Sequence, residues 1–435
     1  MPPTYSFSVR PTVDSDVQAL INFATRCNVS LLGSSGRHGF STDLSKLQNG
    51  MEIDMSAFRN VSVDAEASTL TVGGGVRFLD IFDPVFDAGK EISTGSSACV
   101  GMISPTIGGG VGRLQGIHGM ISDQLLEARI VIANGSLVTA SNEVNPDLFW
   151  AIRGAGGNFG IVVEATYQLT DLTSEYVINM DYAFRSNASY AIVDYLSSFG
   201  ESPPAKLSFM IAGLYDEEQF GGFSIIVNAI YNGPLNEAES YLAPLLRTAT
   251  PFKQNVSSVP QNKMIYSAVF GGEDDPAVSC SGKGAKRSVF APGVKTYDKA
   301  TFVAYIQAFE ELMVNNVDLQ SSNLYLEHFS RVKVLEYPDD SSAYPWRDIL
   351  AHPIMTYQWS DPANEELVEA FGEKWRAAFQ NTSGFHPPQT YVNYGHGDES
   401  NEVLYSTRKL PKLRELKKLW DPTNVFRFHH NIITD

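Results

Sequence analysis

The sequence predicts an α+β protein made of two interleaved domains, and three observations carry that prediction. The chain has 435 residues, more than one hydrophobic core of ordinary size needs. Residues 1–174 are dense in glycine and in short apolar runs, whereas 175–390 alternate helical stretches with strand-like ones. The second texture is that of an antiparallel sheet backed by helices. Residues 391–435 form a closing segment expected to return to the first domain.

In chain order, "TLTVGGGVRFLDIF" reads as a strand, a tight turn and a helix. "EARIVIANGSLVTAS" reads as a hairpin turning at Asn134-Gly135. "DLFWAIRGAGGNFGIVVEATYQLT" reads as a helix, a glycine turn and a strand, with Asn145-Pro146-Asp147 starting the helix. In the second domain "KATFVAYIQAFEELMV" and "NEELVEAFGEKWRAAFQ" predict helices, and "GGFSIIVNAIYN" and "SNLYLEHF" predict strands. The closing segment holds a helix, "STRKLPKLRELKKLW", stopped at Asp421-Pro422.

Composition narrows the function classes. A net charge of −17 repels phosphate backbones and anionic membrane surfaces, so neither nucleic acid nor a membrane is an expected partner. No apolar run reaches the roughly 18 residues of a transmembrane helix. The N-terminal residues lack the basic and apolar regions of a signal peptide. Six Asn-X-Ser/Thr sites, at Asn28, Asn60, Asn134, Asn187, Asn255 and Asn381, weakly favour passage through a secretory compartment. Cys27, Cys99 and Cys280 are too few for a disulfide scaffold and have no zinc spacing, so no metal is expected.

Three glycine segments carry the chemistry. Gly33-Ser34-Ser35-Gly36-Arg37-His38-Gly39 follows an apolar strand, and small residues in a tight turn let backbone N–H groups converge on an anion such as pyrophosphate. Gly95-Ser96-Ser97-Ala98-Cys99-Val100-Gly101, then Gly108-Gly109-Gly110-Val111-Gly112, far exceed the average glycine frequency of about 7 %. Arg153-Gly154-Ala155-Gly156-Gly157-Asn158-Phe159-Gly160 leads into a strand. None has the spacing of a Rossmann or Walker loop. Taken singly, the first reads as an ordinary turn with a surface histidine, and the second as a turn-rich β region.

In order, these segments resemble the FAD-binding domain of the vanillyl-alcohol oxidase superfamily. With "GMISDQLLEARIVIANGSLVTAS" and the closing "YVNYGHGDES…LWDPTNVFRFHHNI", the chain resembles the berberine bridge enzyme-like oxidoreductases, especially the fungal members of secondary metabolism. The resemblance spans nearly the whole chain. It implies a PCMH-type FAD-binding domain of two α/β subdomains over 1–174, a substrate domain over 175–390, and a closing segment 391–435 that rejoins the first. His38 matches the histidine bonded to the flavin 8α-methyl. A cysteine making a second bond in relatives falls at Ser97 here, so one covalent link is expected, with Cys99 as the alternative second anchor or a small buried residue. Val100 matches the position that gates oxygen, which favours O2 as acceptor. The cofactor-binding residues implied are Ser34, Ser35, Gly36, Arg37, His38, Gly39, Ser97, Cys99, Val100, Gly101, Ile107, Gly108, Gly109, Gly112, Asn158, Phe159, Gly160, Ile161 and Asn393.

The family's substrate side departs from the pattern. Val111 stands where a tyrosine often follows the glycines, and Ile354 or Met355 where a Glu or Gln projects. The acidic motif reads Leu326-Glu327-His328-Phe329-Ser330-Arg331, without its glycines. The remaining candidates for the catalytic base are His352, Tyr357 and Gln358 on the sheet, and Tyr391, Asn393 and Tyr394 in the closing "YVNY". Alternation puts His352, Ile354, Thr356 and Gln358 on one face and Tyr357 on the other. Tyr391 and Tyr394 are preferred, because the family brings that strand back near the flavin. The expected function is an FAD-dependent oxidase acting on a small, mainly hydrophobic natural product and passing electrons to O2 to give H2O2, as a monomer or homodimer. The alternatives are a carbohydrate oxidase, and a flavin-bearing cyclase or pericyclase.

Overall fold

The computed structural model describes residues 2–272, 280 and 286–433. Three strands, Tyr5–Val9, Gly50–Asp54 and Leu31–Ser34, make a small parallel sheet with Gly50–Asp54 in the middle. Helix Asp14–Cys27 connects the two edge strands. Its apolar face, Val17, Ile21 and Ala24, packs against Met51 and Ile53 of this sheet and Val131 and Val163 of the next. That next sheet has five antiparallel strands in the order Val61–Asp64, Thr69–Gly73, Ile161–Gln168, Leu125–Val131, Leu137–Ser141.

The local predictions rest on visible causes. The hairpin pairs Val131 with Leu137 and turns at Asn134-Gly135, where Gly135 takes φ +77° and the Asn134 carbonyl oxygen of the side chain accepts from Ser136 N–H at 2.9 Å. Helix Pro146–Ala155 begins with proline in its first turn, where no N–H partner is lost. The closing helix is shorter than the sequence suggests, Leu410–Trp420, because Pro411 is tolerated only in its first turn.

The substrate domain is a seven-stranded antiparallel sheet, ordered Lys253–Pro260, Tyr176–Phe184, Gly222–Tyr231, Leu207–Asp216, Asn323–Phe329, His352–Trp359, Lys286–Phe290. One face is covered by helices Ser189–Ser197, Leu235–Thr248, Lys299–Asn315 and Glu365–Thr382 over a core that includes Phe209, Ile211, Phe309, Met355 and Tyr357. The other face turns toward the first domain. Pairing register sets Asp181, Asn228, Met210, Glu327 and His352 side by side in one row across that face. The next row holds Ala183, Ile226, Ala212, Tyr325 and Ile354.

Two expectations need correction. The closing "YVNY" is not a strand: Val392–Tyr394 is a 3-10 turn in which Tyr394 N–H donates to the Tyr391 carbonyl at 2.8 Å. Cys99, offered as an alternative flavin anchor, is already paired. Cys99 and Cys280 form a disulfide with Cα atoms 5.3 Å apart, joining the glycine loop after residue 95 to the flank of the substrate domain. Their separation of 181 residues hides the pairing from any reading of local spacing. Among the described residues, no helix is long and apolar enough to cross a membrane, and no group of three or more His, Cys, Asp or Glu side chains could hold a metal.

Candidate active site

A cavity of about 1120 Å³ runs between the glycine segments and the open face of the seven-stranded sheet. It exceeds the ~300–1,000 Å³ of an ordinary small-ligand site. All three glycine segments contribute to its wall, with residues 33–39, residues 95–97, 100, 101 and 108, and residues 154–157 and 160.

Close backbone approach explains the glycines. A Cβ on Gly36 would lie 2.6 Å from the Gly101 nitrogen, so the first two segments touch main chain to main chain. A Cβ on Gly108 would lie 2.2 Å from Asn393 Oδ1, which leaves no room for a side chain beneath the closing turn. Arg37 adopts φ +55°, an uncommon conformation for a residue with a side chain, and is held there by ion pairs to Glu52 (2.9 Å) and Asp54 (3.2 Å). That clamp sets the turn from which His38 faces the cavity. Burial, then the nearby Arg287 and Arg77 cations, lower the His38 pKa and keep its imidazole neutral. A neutral imidazole beside a shelf of converging backbone is the donor set an FAD bonded at its 8α-methyl requires, so the residues present fit that cofactor.

Most expected cofactor residues line this cavity: Ser34 through Gly39, Ser97, Val100, Gly101, Ile107, Gly108, Gly160, Ile161 and Asn393. Five do not. Gly109 is pressed against Tyr344, and Gly112 against the Thr94 carbonyl. Phe159 is buried in the core of the first domain. Asn158 ties the closing segment down: its amide donates to Tyr405 Oη and the His430 carbonyl, and its side-chain oxygen accepts from Ile432 N–H. Cys99 is bound to Cys280 and has no thiol to offer a flavin.

The candidate bases separate in the same way. Tyr391 and Tyr394 both face the cavity, with ring centroids 4.8 Å apart. A strand would have put residues three apart on opposite faces, and the turn puts them together. Tyr391 Oη accepts from Gly110 N–H (2.9 Å) and from the Asn393 amide (2.6 Å), so it supports the glycine loop. Tyr394 Oη donates to Glu327 Oε2 at 2.8 Å. His352 lies behind the two tyrosines, its ring 5.6 Å from that of Tyr394, and burial lowers its pKa to about 3. It is neutral near pH 7 and is not among the residues that line the cavity. Tyr357 is on the opposite face of the sheet, against Tyr305, Phe309 and Phe371, and cannot reach the cavity.

Glu327 is the residue the sequence reading passed over. It is 3 % exposed, lines the cavity, and accepts Ser96 Oγ–H at 2.7 Å on one oxygen and Tyr394 on the other. Burial raises its pKa above the ordinary carboxylate value, although both hydrogen bonds and Arg113 oppose the shift. The loss of the motif's glycines suggested that this strand was altered. Its alternation carried the better signal: Tyr325 and Glu327 share a face, and His328 points into the aromatic core of the other. Met210, Leu214, Ile226, Ile265 and Ile354 add apolar surface to the nearby wall, alongside the charged Arg113 and Arg287.

A family model described as an FAD binding domain matches residues 5–141, and one described as berberine and berberine like matches 390–433. An FAD-linked oxidoreductase of Aspergillus fumigatus is 54 % identical over 99 % of this chain and 87 % of its own length. Among solved structures, a xylooligosaccharide oxidase of Myceliophthora thermophila superposes with a TM-score of 0.85 at 22 % identity, covering 100 % of this chain and 93 % of that one. A berberine bridge enzyme-like protein of Physcomitrella patens gives 0.84 at 23 %, covering 98 % and 91 %. At those identities the two structures carry the fold alone.

Proposed function

The chain belongs to the FAD-linked oxidoreductases of the berberine bridge enzyme-like family, and on that premise we propose that it oxidises a small, mainly hydrophobic alcohol or related natural product of secondary metabolism with O2 as acceptor. One observation carries the reading: a buried carboxylate, Glu327, hydrogen-bonded to a cavity-facing phenol, Tyr394.

FAD, when bound, supplies the acceptor for a hydride leaving the substrate carbon. The chain's own residues manage the proton. Tyr394 alone offers no base, because burial and then the Glu327 charge push its pKa well above 10 and keep the phenol protonated. The pair works together. Tyr394 Oη takes the substrate hydroxyl proton as its own proton passes along the 2.8 Å bond to Glu327 Oε2. Glu327 is prepared for this by its raised proton affinity, and Ser96 holds its second oxygen still. His38 is the residue that would anchor the cofactor covalently, through a single link, since Cys99 is occupied and residue 97 is serine. The small Val100 side chain on the cavity wall supports O2 as the electron acceptor. The apolar residues of the sheet wall, Met210, Leu214, Ile226 and Ile354, favour a mainly hydrophobic substrate over a sugar.

The test is anaerobic bleaching of the yellow protein by a panel of aromatic and allylic alcohols, with H2O2 measured on readmission of air. Glu327→Gln is expected to slow bleaching by ~10²–10⁴-fold while the colour stays with the acid-precipitated pellet. In the wild type the rate falls as pH drops through the Glu327 pKa, which lies above the ordinary value of about 4.3. Glu327→Gln lacks that acid limb. An unchanged rate in Glu327→Gln would remove this carboxylate from the reaction, and a colourless protein would defeat the cofactor assignment.

A further inference from the structure

Arg113 follows the second glycine segment and is 3 % exposed, yet it lines the same cavity as Glu327, near enough for its charge to act on that carboxylate. Burying a guanidinium is unfavourable unless the surroundings are built for it. Here they are. Nη2 of Arg113 donates to Asn228 Oδ1 at 2.6 Å. The Asn228 amide nitrogen is committed elsewhere, donating to Asp181 Oδ1 (2.8 Å) and Asn179 Oδ1 (2.7 Å). Asn179 in turn donates to Asp181 Oδ2 (2.7 Å) and to the Ser267 carbonyl (3.1 Å). Asp181, Asn179 and Asn228 have no exposed surface. With its nitrogen used, only the oxygen end of Asn228 can meet Arg113. Two adjacent strands of the sheet thus fix the direction of one guanidinium, whose carbon lies 5.9 Å from the Phe329 ring centroid.

A cation at this place opposes the base. The Arg113 charge favours ionised Glu327 and so weakens its pull on a proton. A wall built only to deprotonate a neutral alcohol gains nothing from that. A wall that must also hold a negatively charged oxygen does gain, because an arginine in a low-dielectric cavity recognises oxyanions strongly. We propose that Arg113 is a specificity-determining residue that binds an acidic oxygen of the substrate, a carboxylate or the anion of a phenol or enol, in a pocket positioned by Asn228 and Asp181. The substrate is then an apolar molecule with one such group. This rests on the oxidase reading of the same cavity.

The test is titration of the yellow holoenzyme with four probes, followed by perturbation of the flavin spectrum: benzoate against benzamide, and 4-nitrophenol against 4-nitroanisole. The acidic member of at least one pair is expected to bind roughly tenfold or more tightly than its neutral partner, the effect of one charge-assisted hydrogen bond. Which pair responds separates a carboxylate from a phenol or enol. Arg113→Met should abolish the preference, Arg113→Lys should keep part of it, and Asp181→Asn should weaken it without touching the cavity wall. Equal binding of acidic and neutral probes to the wild type, no perturbation by any of the four, or an undiminished preference in Arg113→Met would overturn the proposal. The wild-type comparison and Asp181→Asn decide the matter should Arg113→Met fail to fold. Loss of the yellow colour is a separate observation and reports on the cofactor assignment.

Discussion

One wall of the cavity works with main chain, and the wall facing it works with side chains. The glycine wall is made where segments 33–39 and 95–101 approach so closely that a single added carbon at Gly36 would strike Gly101. The sheet wall is made by side chains that pairing register sets in two adjacent rows, Met210 and Glu327 in one and Ile226, Tyr325 and Ile354 in the next. The first kind of surface leaves a dense local mark in the sequence. The second leaves almost none, because its members are scattered and each strand contributes one residue per row.

The contrast can be broken most sharply at Gly36. Gly36→Ala puts a methyl group 2.6 Å from the Gly101 nitrogen, so one backbone must move. The expected result is a protein that folds but retains little flavin, read as the ratio of visible to ultraviolet absorbance. Full flavin content would show that the glycine wall tolerates side chains after all. A smaller effect is expected across the cavity. Tyr394→Phe removes the Glu327 bond and should slow flavin reduction by roughly 10²-fold. Tyr357→Phe, on the far face of the same sheet, should leave the rate within a factor of two, on the order of the ±0.5 kcal/mol of a neutral substitution. Equal losses in the two would mean that packing, not proton transfer, is being measured.

The smallest effect on chemistry belongs to the bond that ties the glycine loop to the flank of the second domain. Cys280→Ser opens the Cys99 disulfide. Closing so long a loop contributes about 2–5 kcal/mol, so the melting temperature should fall by several degrees. The flavin should remain acid-stable with an unchanged spectrum. A shifted spectrum with a newly formed second flavin bond would mean that Cys99 can serve as an anchor once released.

How much of this was legible follows from the same contrast. The glycine segments and the hairpin at Asn134-Gly135 could be read because their causes are local: turn geometry and close approach. His38, taken singly an ordinary surface histidine, was singled out only by the family resemblance. Tyr391 and Tyr394 were legible as residues but not as an arrangement, since a turn rather than a strand carries them. Glu327 was not legible as the proposed base. Its partners Ser96 and Tyr394 are 231 and 67 residues away in sequence, and only strand register and the closing turn bring the three together. Cys99 was misread for the same reason, its partner being 181 residues distant.

The Val392–Tyr394 turn has a consequence for the order of events during synthesis. A ribosome finishes the flavin shelf, the disulfide partners and the whole seven-stranded sheet before it reaches Tyr394. Until then Glu327 has no phenol beside it, and Gly110 N–H has no Tyr391 Oη to meet. A nascent chain can therefore gather the parts of its binding wall while lacking the proposed proton path. Under that proposal the enzyme becomes competent only after the segment that locks its glycine loop has been made, and chain order alone withholds oxidation from the unfinished chain.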